Sequence, residues 1–378
     1  MRGADTTHAS ASMLYLYRVD YQVRRKHKAM KASTKRILNF ALIIGTLLLV
    51  FILGFSNNEL QSAGDVLKAA SPVWLALCVL AYGIFLFLDG LSVYYFLRRQ
   101  KHPVTLRYAF YVGVMGQYYS SITPGASGGQ PMQVYYLKKK QVPLGVASSA
   151  LTVKFFSYQL MVMIMATVFW ILKADVVTAQ LQGASVTLLI AGYVIHSFSV
   201  VLVLLLAVSK PLVRFIIAVV IKVGAKLRLI KHPSDAVSKS EGILSSFHAS
   251  VTMLRSRPGE LLVMLLINGL QALCYMAVPA IVHHALGLSG TDHSTLLAMA
   301  IFLYLSASYM PLPGASGAQE GGFMLFFKGM FPAGTIFMGM LIWRFVTYYL
   351  LLIGGAVITV IQAARGLRKG KKEKLDED

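Results

Sequence analysis

Apolar residues run along this chain in stretches too long for the core of a soluble domain, separated by short basic segments. Six stretches are predicted to cross a membrane as helices: Ile37–Phe55, Val73–Phe96, Val146–Leu172, Leu188–Val208, Leu261–Leu286 and Thr335–Ala363. Crossing a ~30 Å hydrocarbon core takes ~20 apolar residues at a rise of ~1.5 Å each. Two more apolar regions, Tyr108–Leu137 and Ser294–Phe331, are interrupted in the middle by proline and glycine. The pattern predicts an all-α polytopic membrane protein with about six full spans and two re-entrant helical hairpins. A membrane barrel would instead show ~10-residue alternating segments.

The two interruptions are nearly the same phrase. Residues 122–131 read ITPGASGGQP and residues 312–320 read LPGASGAQE. Proline removes a backbone donor and breaks a helix, and glycine opens the left-handed region and allows close approach. Pro124, Gly125, Gly128 and Gly129 therefore form one predicted hairpin turn, and Pro313, Gly314 and Gly317 the other. The likeness continues downstream. Lys154-Phe-Phe-Ser-Tyr158 begins 30 positions after Pro124, and Arg344-Phe-Val-Thr-Tyr348 begins 31 after Pro313. Upstream, Asp89-Gly-Leu matches Asn268-Gly-Leu. The repeated unit is span, hairpin, span, over about 73–172 and 261–363.

Charge orients the two units. Only 13% of residues are charged and 56% are hydrophobic, against ~25% charged in soluble domains. The net charge of +21 would fit a nucleic-acid binder, but 31 of the 36 Lys and Arg fall in five segments between or beyond spans. These are the N-terminal segment 1–36, the 97–107 loop, Lys138–Lys140, the loop 209–258 and the tail 364–378. Basic residues crowd cytoplasmic loops, so these segments, with both termini, are expected in the cytoplasm and no nucleic-acid partner is expected. The single transmembrane domain is then 37–363. The first hairpin begins and ends on the cytoplasmic side and the second on the external side, so the repeat is inverted. Broken helices meeting in an inverted repeat mark many transporters.

Lys154 and Arg344 lie inside spans, where a cation costs roughly 2.5–3.5 kcal/mol. Paired by the repeat, they are expected to bind a lipid phosphate from two sides, Arg bidentately and Lys as a point charge. Snorkelling to an interface is the structural alternative. Ser127, Gln130, Ser316, Gln319, Tyr158 and Tyr348 complete the expected substrate-binding set. Asp89 and Glu320 are the intramembrane acids, and each serves either as a coupling site or as the partner of Lys154 or Arg344. Tyr118, Tyr119, Tyr135 and Tyr136 read as an interfacial aromatic belt. His283, His284 and His293 form no spaced metal motif, and no metal or cofactor is expected. Cys78 and Cys274 read as apolar bystanders. Residues 211–230 read as a basic amphipathic helix on an anionic leaflet, and the tail 368–378 as disordered. The first span is too long, and lacks the cleavage site, for a signal peptide. No nucleotide-binding, nucleophile-elbow or zinc-protease phrase is present.

The two phrases, with Pro131, Pro311 and Glu320, resemble the membrane domain of the lysylphosphatidylglycerol synthase/flippase family over roughly residues 37–363. The resemblance implies a prokaryotic cytoplasmic membrane and movement of phospholipid, anionic by this reading, between leaflets. The family's fused members attach lysine to phosphatidylglycerol through a C-terminal domain. This chain ends at Asp378, fifteen residues after the last predicted span, so a non-catalytic translocase is expected and aminoacyl transfer is not carried over. Two other classes stay open: a membrane enzyme or accessory subunit for a polyprenyl-linked or glycolipid substrate, and a small-ion or solute channel. Homo-oligomerisation is left open as well.

Overall fold

The computed structural model of the chain describes residues 65–375, apart from 182, 227–232 and 333. The first predicted span, Ile37–Phe55, and the basic segment before it lie outside the described residues. The described chain is helical, with no β-sheet. Its helices are α1 (Pro72–Arg99), α2 (Leu106–Ser121), α3 (Gly129–Lys139), α4 (Leu144–Leu172), α5 (Ala174–Gln180), α6 (Ala184–Val208) and α7 (Lys210–Lys226). They continue with α8 (Pro233–Arg255), α9 (Pro258–Met276), α10 (Val278–Ala285), α11 (His293–Ala307), α12 (Ala318–Phe326), α13 (Ile336–Arg344) and α14 (Leu350–Leu375). Five helical segments are long and apolar enough to cross a membrane: Pro72–Arg99, Leu144–Leu172, Ser185–Leu206, Pro258–Ala285 and Ile336–Gln362. Their outward faces carry apolar side chains such as Phe198, Leu266 and Val360, each more than 60% exposed, as lipid-facing surface requires. The chain is a multi-pass membrane protein.

Three sequence expectations need correction. The Leu261–Leu286 span breaks at Ala277 into α9 and α10, because Pro279 has no amide to continue the ladder. The Thr335–Ala363 span is not one α-helix: a π-turn, Phe345–Tyr349, separates α13 from α14. Such turns insert one residue into a helix and are common at functional sites. The tail is helical rather than disordered as far as Leu375, where α14 ends; its Lys, Arg, Glu and Leu residues are good helix formers, and residues 376–378 lie outside the described residues.

Polar contacts define the two ends of the bundle. Arg99 of α1 reaches Glu260 of α9 at 3.6 Å, which joins the C-terminus of α1 to the N-terminus of α9. This is the basic end. At the opposite end the Ser71 amide donates to the Ala285 carbonyl at 2.8 Å, and Lys173 meets Asp292 at 2.6 Å. Helices α2 and α3 form a hairpin whose limbs are tied at the basic end by Tyr108 Oη donating to the Tyr136 carbonyl at 2.6 Å. Helices α11 and α12 form a hairpin rooted at the opposite end, through Asp292 and through His283, whose Nε2 lies 3.2 Å from the Met330 carbonyl. The hairpins enter from opposite ends and their turns pack against each other.

Both turns, Pro124–Ala126 and Pro313–Ala315, are single 3₁₀ turns. Each sets two consecutive residues in the left-handed region: Gly125 and Ala126 at φ 57° and 55°, Gly314 and Ala315 at φ 60° and 49°. Glycine takes that conformation freely and alanine does not. Close approach is the second use of glycine. A Cβ on Gly113 would sit 2.9 Å from Asp89 Oδ2 and from the Gly90 amide, and one on Gly116 would sit 2.2 Å from Gln133 Nε2. Small residues thus let α2 lie directly on α1 and α3. Both Ala126→Gly and Ala315→Gly are expected to raise the thermal midpoint in detergent, because each relieves roughly 1–2 kcal/mol of left-handed strain against roughly 0.5–1 kcal/mol of added chain entropy. A lowered midpoint in both would contradict the turn geometry.

Candidate functional site

Lys154 lies ten residues into α4 and is 9% exposed; Asp89, ten residues before the end of α1, is 2% exposed. Lys154 Nζ meets Asp89 Oδ1 and Oδ2 at 2.9 and 2.8 Å. Three amides also donate to this carboxylate: Gln117 of α2 at 3.0 Å, Gln133 of α3 at 3.2 Å and Gln271 of α9 at 3.1 Å. Gln133 Oε1 in turn accepts from Lys154 Nζ at 3.3 Å. One carboxylate on α1 therefore gathers donors from four other helices. One turn along, Asn268 of α9 donates to Ser92 Oγ of α1 at 3.0 Å.

The second ion pair is built differently. Arg344, the last residue of α13, donates from Nε to Glu320 Oε1 at 2.6 Å. Its Nη2 donates to the Gly314 carbonyl at 3.2 Å and to Ser316 Oγ at 3.4 Å. Glu320 Oε2 accepts from the Gly317 amide at 2.6 Å, which caps the first turn of α12. In the first hairpin the hydroxyl of Thr123 has the capping role, accepting from the Gly128 amide at 2.8 Å. The Arg344 guanidinium also lies 4.4 Å from the ring centre of Tyr348, a cation–π distance. Arg344 and Glu320 are each 3% exposed.

Asp89, Lys154 and Arg344 border one cavity of about 290 Å³. It sits between the two hairpin turns and the long helices. Of the sequence-predicted residues, Lys154, Arg344, Gln130, Gln319, Tyr158, Tyr348, Asp89, Gly129 and Gly314 line it. Ser127 does not line it and is exposed. Ser316 is buried behind Arg344, where its hydroxyl donates to the Pro313 carbonyl at 2.8 Å. Glu320 stands behind Arg344 rather than in the lining. Tyr135 is 49% exposed, whereas Tyr136, read as part of the same aromatic belt, is 5% exposed and packs inside the first hairpin.

The model of the lysylphosphatidylglycerol synthase transmembrane region matches residues 37–355. The chain belongs to that family. The matched segment contains both hairpins, both ion pairs and the whole cavity lining. The UPF0104 membrane protein of the archaeon Archaeoglobus fulgidus is similar at 22% identity over 310 residues, 80% of this chain and 90% of that protein.

Sequence reasoning missed much of this family member's cavity wall. Gln117, Gln133 and Gln271, with Tyr82, Tyr275 and Tyr304, also line the cavity. Gln159 lines it and reaches back to His196 Nδ1 at 3.0 Å and Tyr309 Oη at 2.7 Å. An available signal was the glutamine: an uncharged amide inside an apolar span needs a partner as a charge does.

A buried pair broken on one side leaves an uncompensated charge, at a cost of ~3–5 kcal/mol. Asp89→Asn and Lys154→Met alone are each expected to lower the thermal midpoint strongly. The combined Asp89→Asn/Lys154→Met chain, neutral at this point, should recover most of the loss, and additive losses would contradict the pairing.

Proposed function

We propose that this protein is a lipid translocase of a prokaryotic cytoplasmic membrane. It moves a phosphate-bearing phospholipid between leaflets by alternating access, without a cofactor or a catalytic step. The observation that carries the reading is the pair of cations, Lys154 and Arg344, that border one cavity from the two halves of the chain. Lys154 lies ten residues into its helix, or ~15 Å, about half of a ~30 Å hydrocarbon core. Cations at that depth with polar surroundings are functional-site candidates. The cavity is near the lower end of the ~300–1,000 Å³ typical of ligand pockets, so it suits a head group while acyl chains remain in lipid.

The inverted repeat belongs to this reading and has support in the contacts. Asp89 pairs with Gln271, and Ser92 with Asn268. Exchanging the two repeats carries Asp89 onto Asn268 and Ser92 onto Gln271, so one bond maps onto the other. With basic loops in the cytoplasm, the hairpins are re-entrant from opposite faces. In the proposed cycle they rock against each other at their touching turns.

Each cation already has a carboxylate, so the two pairs cancel in formal charge. A lipid phosphate must compete with Asp89 and Glu320 for the same donors. That competition permits release as well as capture.

In proteoliposomes, wild type is expected to move labelled phosphatidylglycerol or a polyprenyl phosphate. The charge-balanced variants Asp89→Asn/Lys154→Met and Glu320→Gln/Arg344→Met should remain folded and lose transport at least tenfold. Failure of the wild type to move any phosphate-bearing lipid under an imposed proton gradient would overturn the translocase reading in favour of an enzyme accessory role. Glu320→Gln alone frees Arg344 and should tighten phosphatidylglycerol binding while slowing turnover. Weaker binding would show that Glu320 does not compete with the ligand.

A further inference from the structure

We infer that the lipid is loaded from the leaflet at the basic end, with an acyl chain lying in an apolar groove that opens into the head-group cavity. This rests on the lipid-translocase reading and adds to it the tail path and the loaded leaflet. The groove lies between α4, α6, α7 and α8 and holds about 430 Å³. Its walls are Val203 and Leu206 of α6, Ile216 and Ile217 of α7, and Leu244 and Phe247 of α8. No charged residue lines it; its polar groups are the hydroxyls of Ser148 and Thr152 and the amide of Gln130.

Continuity decides the occupant. Gln130 and Phe155 line both the groove and the cavity that holds Lys154 and Arg344. A ligand occupying both spaces needs a polar, phosphate-bearing head and a long apolar chain joined near Gln130. Another helix or a second copy of this chain would cover the groove without entering the cavity. Of the other described cavities, one shares walls with the head-group cavity, at Tyr275, Tyr304 and Gln319, and it holds only about 10 Å³. Among the described cavities, no comparable tail path leads from the opposite end.

The leaflet follows from the same residues. Ser148 and Thr152 lie in the first turns of α4, just after Lys138–Lys140, and Val203 and Leu206 lie in the last turns of α6, just before Lys210. Helix α7 forms the rim. Its outer face exposes Phe215 and Val220 at 66% and 60%, with Arg214 and Lys222 also exposed. An apolar face beside basic side chains is the pattern of a helix lying in an anionic interface. By the charge rule that leaflet is the cytoplasmic one.

The test uses purified full-length protein and phosphatidylglycerol carrying a photoactivatable diazirine on one acyl chain. After irradiation, adducts are mapped by mass spectrometry. The expected adducts fall on groove residues of α6, α7 and α8, and excess dioleoyl phosphatidylglycerol suppresses them. In a Val203→Trp/Ile217→Trp variant, binding of dioleoyl phosphatidylglycerol should fall at least tenfold. Binding of the short-chain dihexanoyl lipid, which needs only the cavity, should stay within twofold of wild type. Specific adducts confined to other helices, or equal long-chain binding in the filled variant, would overturn the groove while leaving the translocase reading intact. If both lipids are lost together in the variant, wild-type adducts on the groove still support the proposal and adducts elsewhere still overturn it. Binding of neither lipid by wild type would instead overturn the translocase reading itself.

Discussion

One buried carboxylate holds the first half of this molecule together. Asp89 accepts from Lys154, Gln117, Gln133 and Gln271, so α1, α2, α3, α4 and α9 converge on two oxygen atoms. In a hydrocarbon environment no water can replace a missing donor, and each unmet polar group costs several kcal/mol. Removing one charged member alone therefore leaves its partner uncompensated. The cluster's geometry in turn requires the glycine seam, because a Cβ on Gly113 or Gly116 would intrude on Asp89 or Gln133. The packing of the first hairpin and the chemistry of the cavity wall are two aspects of one constraint.

The second half meets the same requirement with other parts. Glu320 serves at once as counter-ion to Arg344 and as cap for α12. Arg344 reaches the Gly314 carbonyl inside the second turn, so the cation is tied directly to the broken backbone it neighbours. Lys154 has no such link to the first turn; its acid comes from α1 and its amide from α3. The two halves are alike in backbone and unlike in the origin of the acid. In the proposed cycle that asymmetry makes Arg344 respond to movement of its own hairpin, whereas Lys154 is held by the helices around it.

Much of this was legible in the sequence, and the reasons are specific. The repeated proline–glycine phrase marked both turns, because only a broken helix needs those residues in an apolar run. Lys154 and Arg344 stood out because a charge in a span is costly. Their pairing with Asp89 and Glu320 was one of the readings the sequence left open, and the structure has both pairs. Pro279 marked the break at Ala277 in the same way, but a hydropathy window averages over it, and the π-turn at Phe345–Tyr349 holds no proline or glycine to mark it. Ser127 and Ser316 matched as letters, but the first turn leaves its serine exposed and the second buries its serine behind Arg344. The glutamines were missed because their value comes from a partner distant in sequence. Gln271 lies 182 residues from Asp89, and no local pattern reports such a contact.

The account depends most on the two hairpins entering from opposite faces of the membrane. Side-specific labelling of single cysteines tests this directly. In a chain with Cys78 and Cys274 replaced, a membrane-impermeant maleimide would be offered to Lys138→Cys and, separately, Lys328→Cys. Both positions are exposed, one just before the end of the first hairpin and one just after α12 of the second. The account predicts labelling from opposite sides, Lys138→Cys from the cytoplasm and Lys328→Cys from outside. Labelling of both from the same side would contradict it.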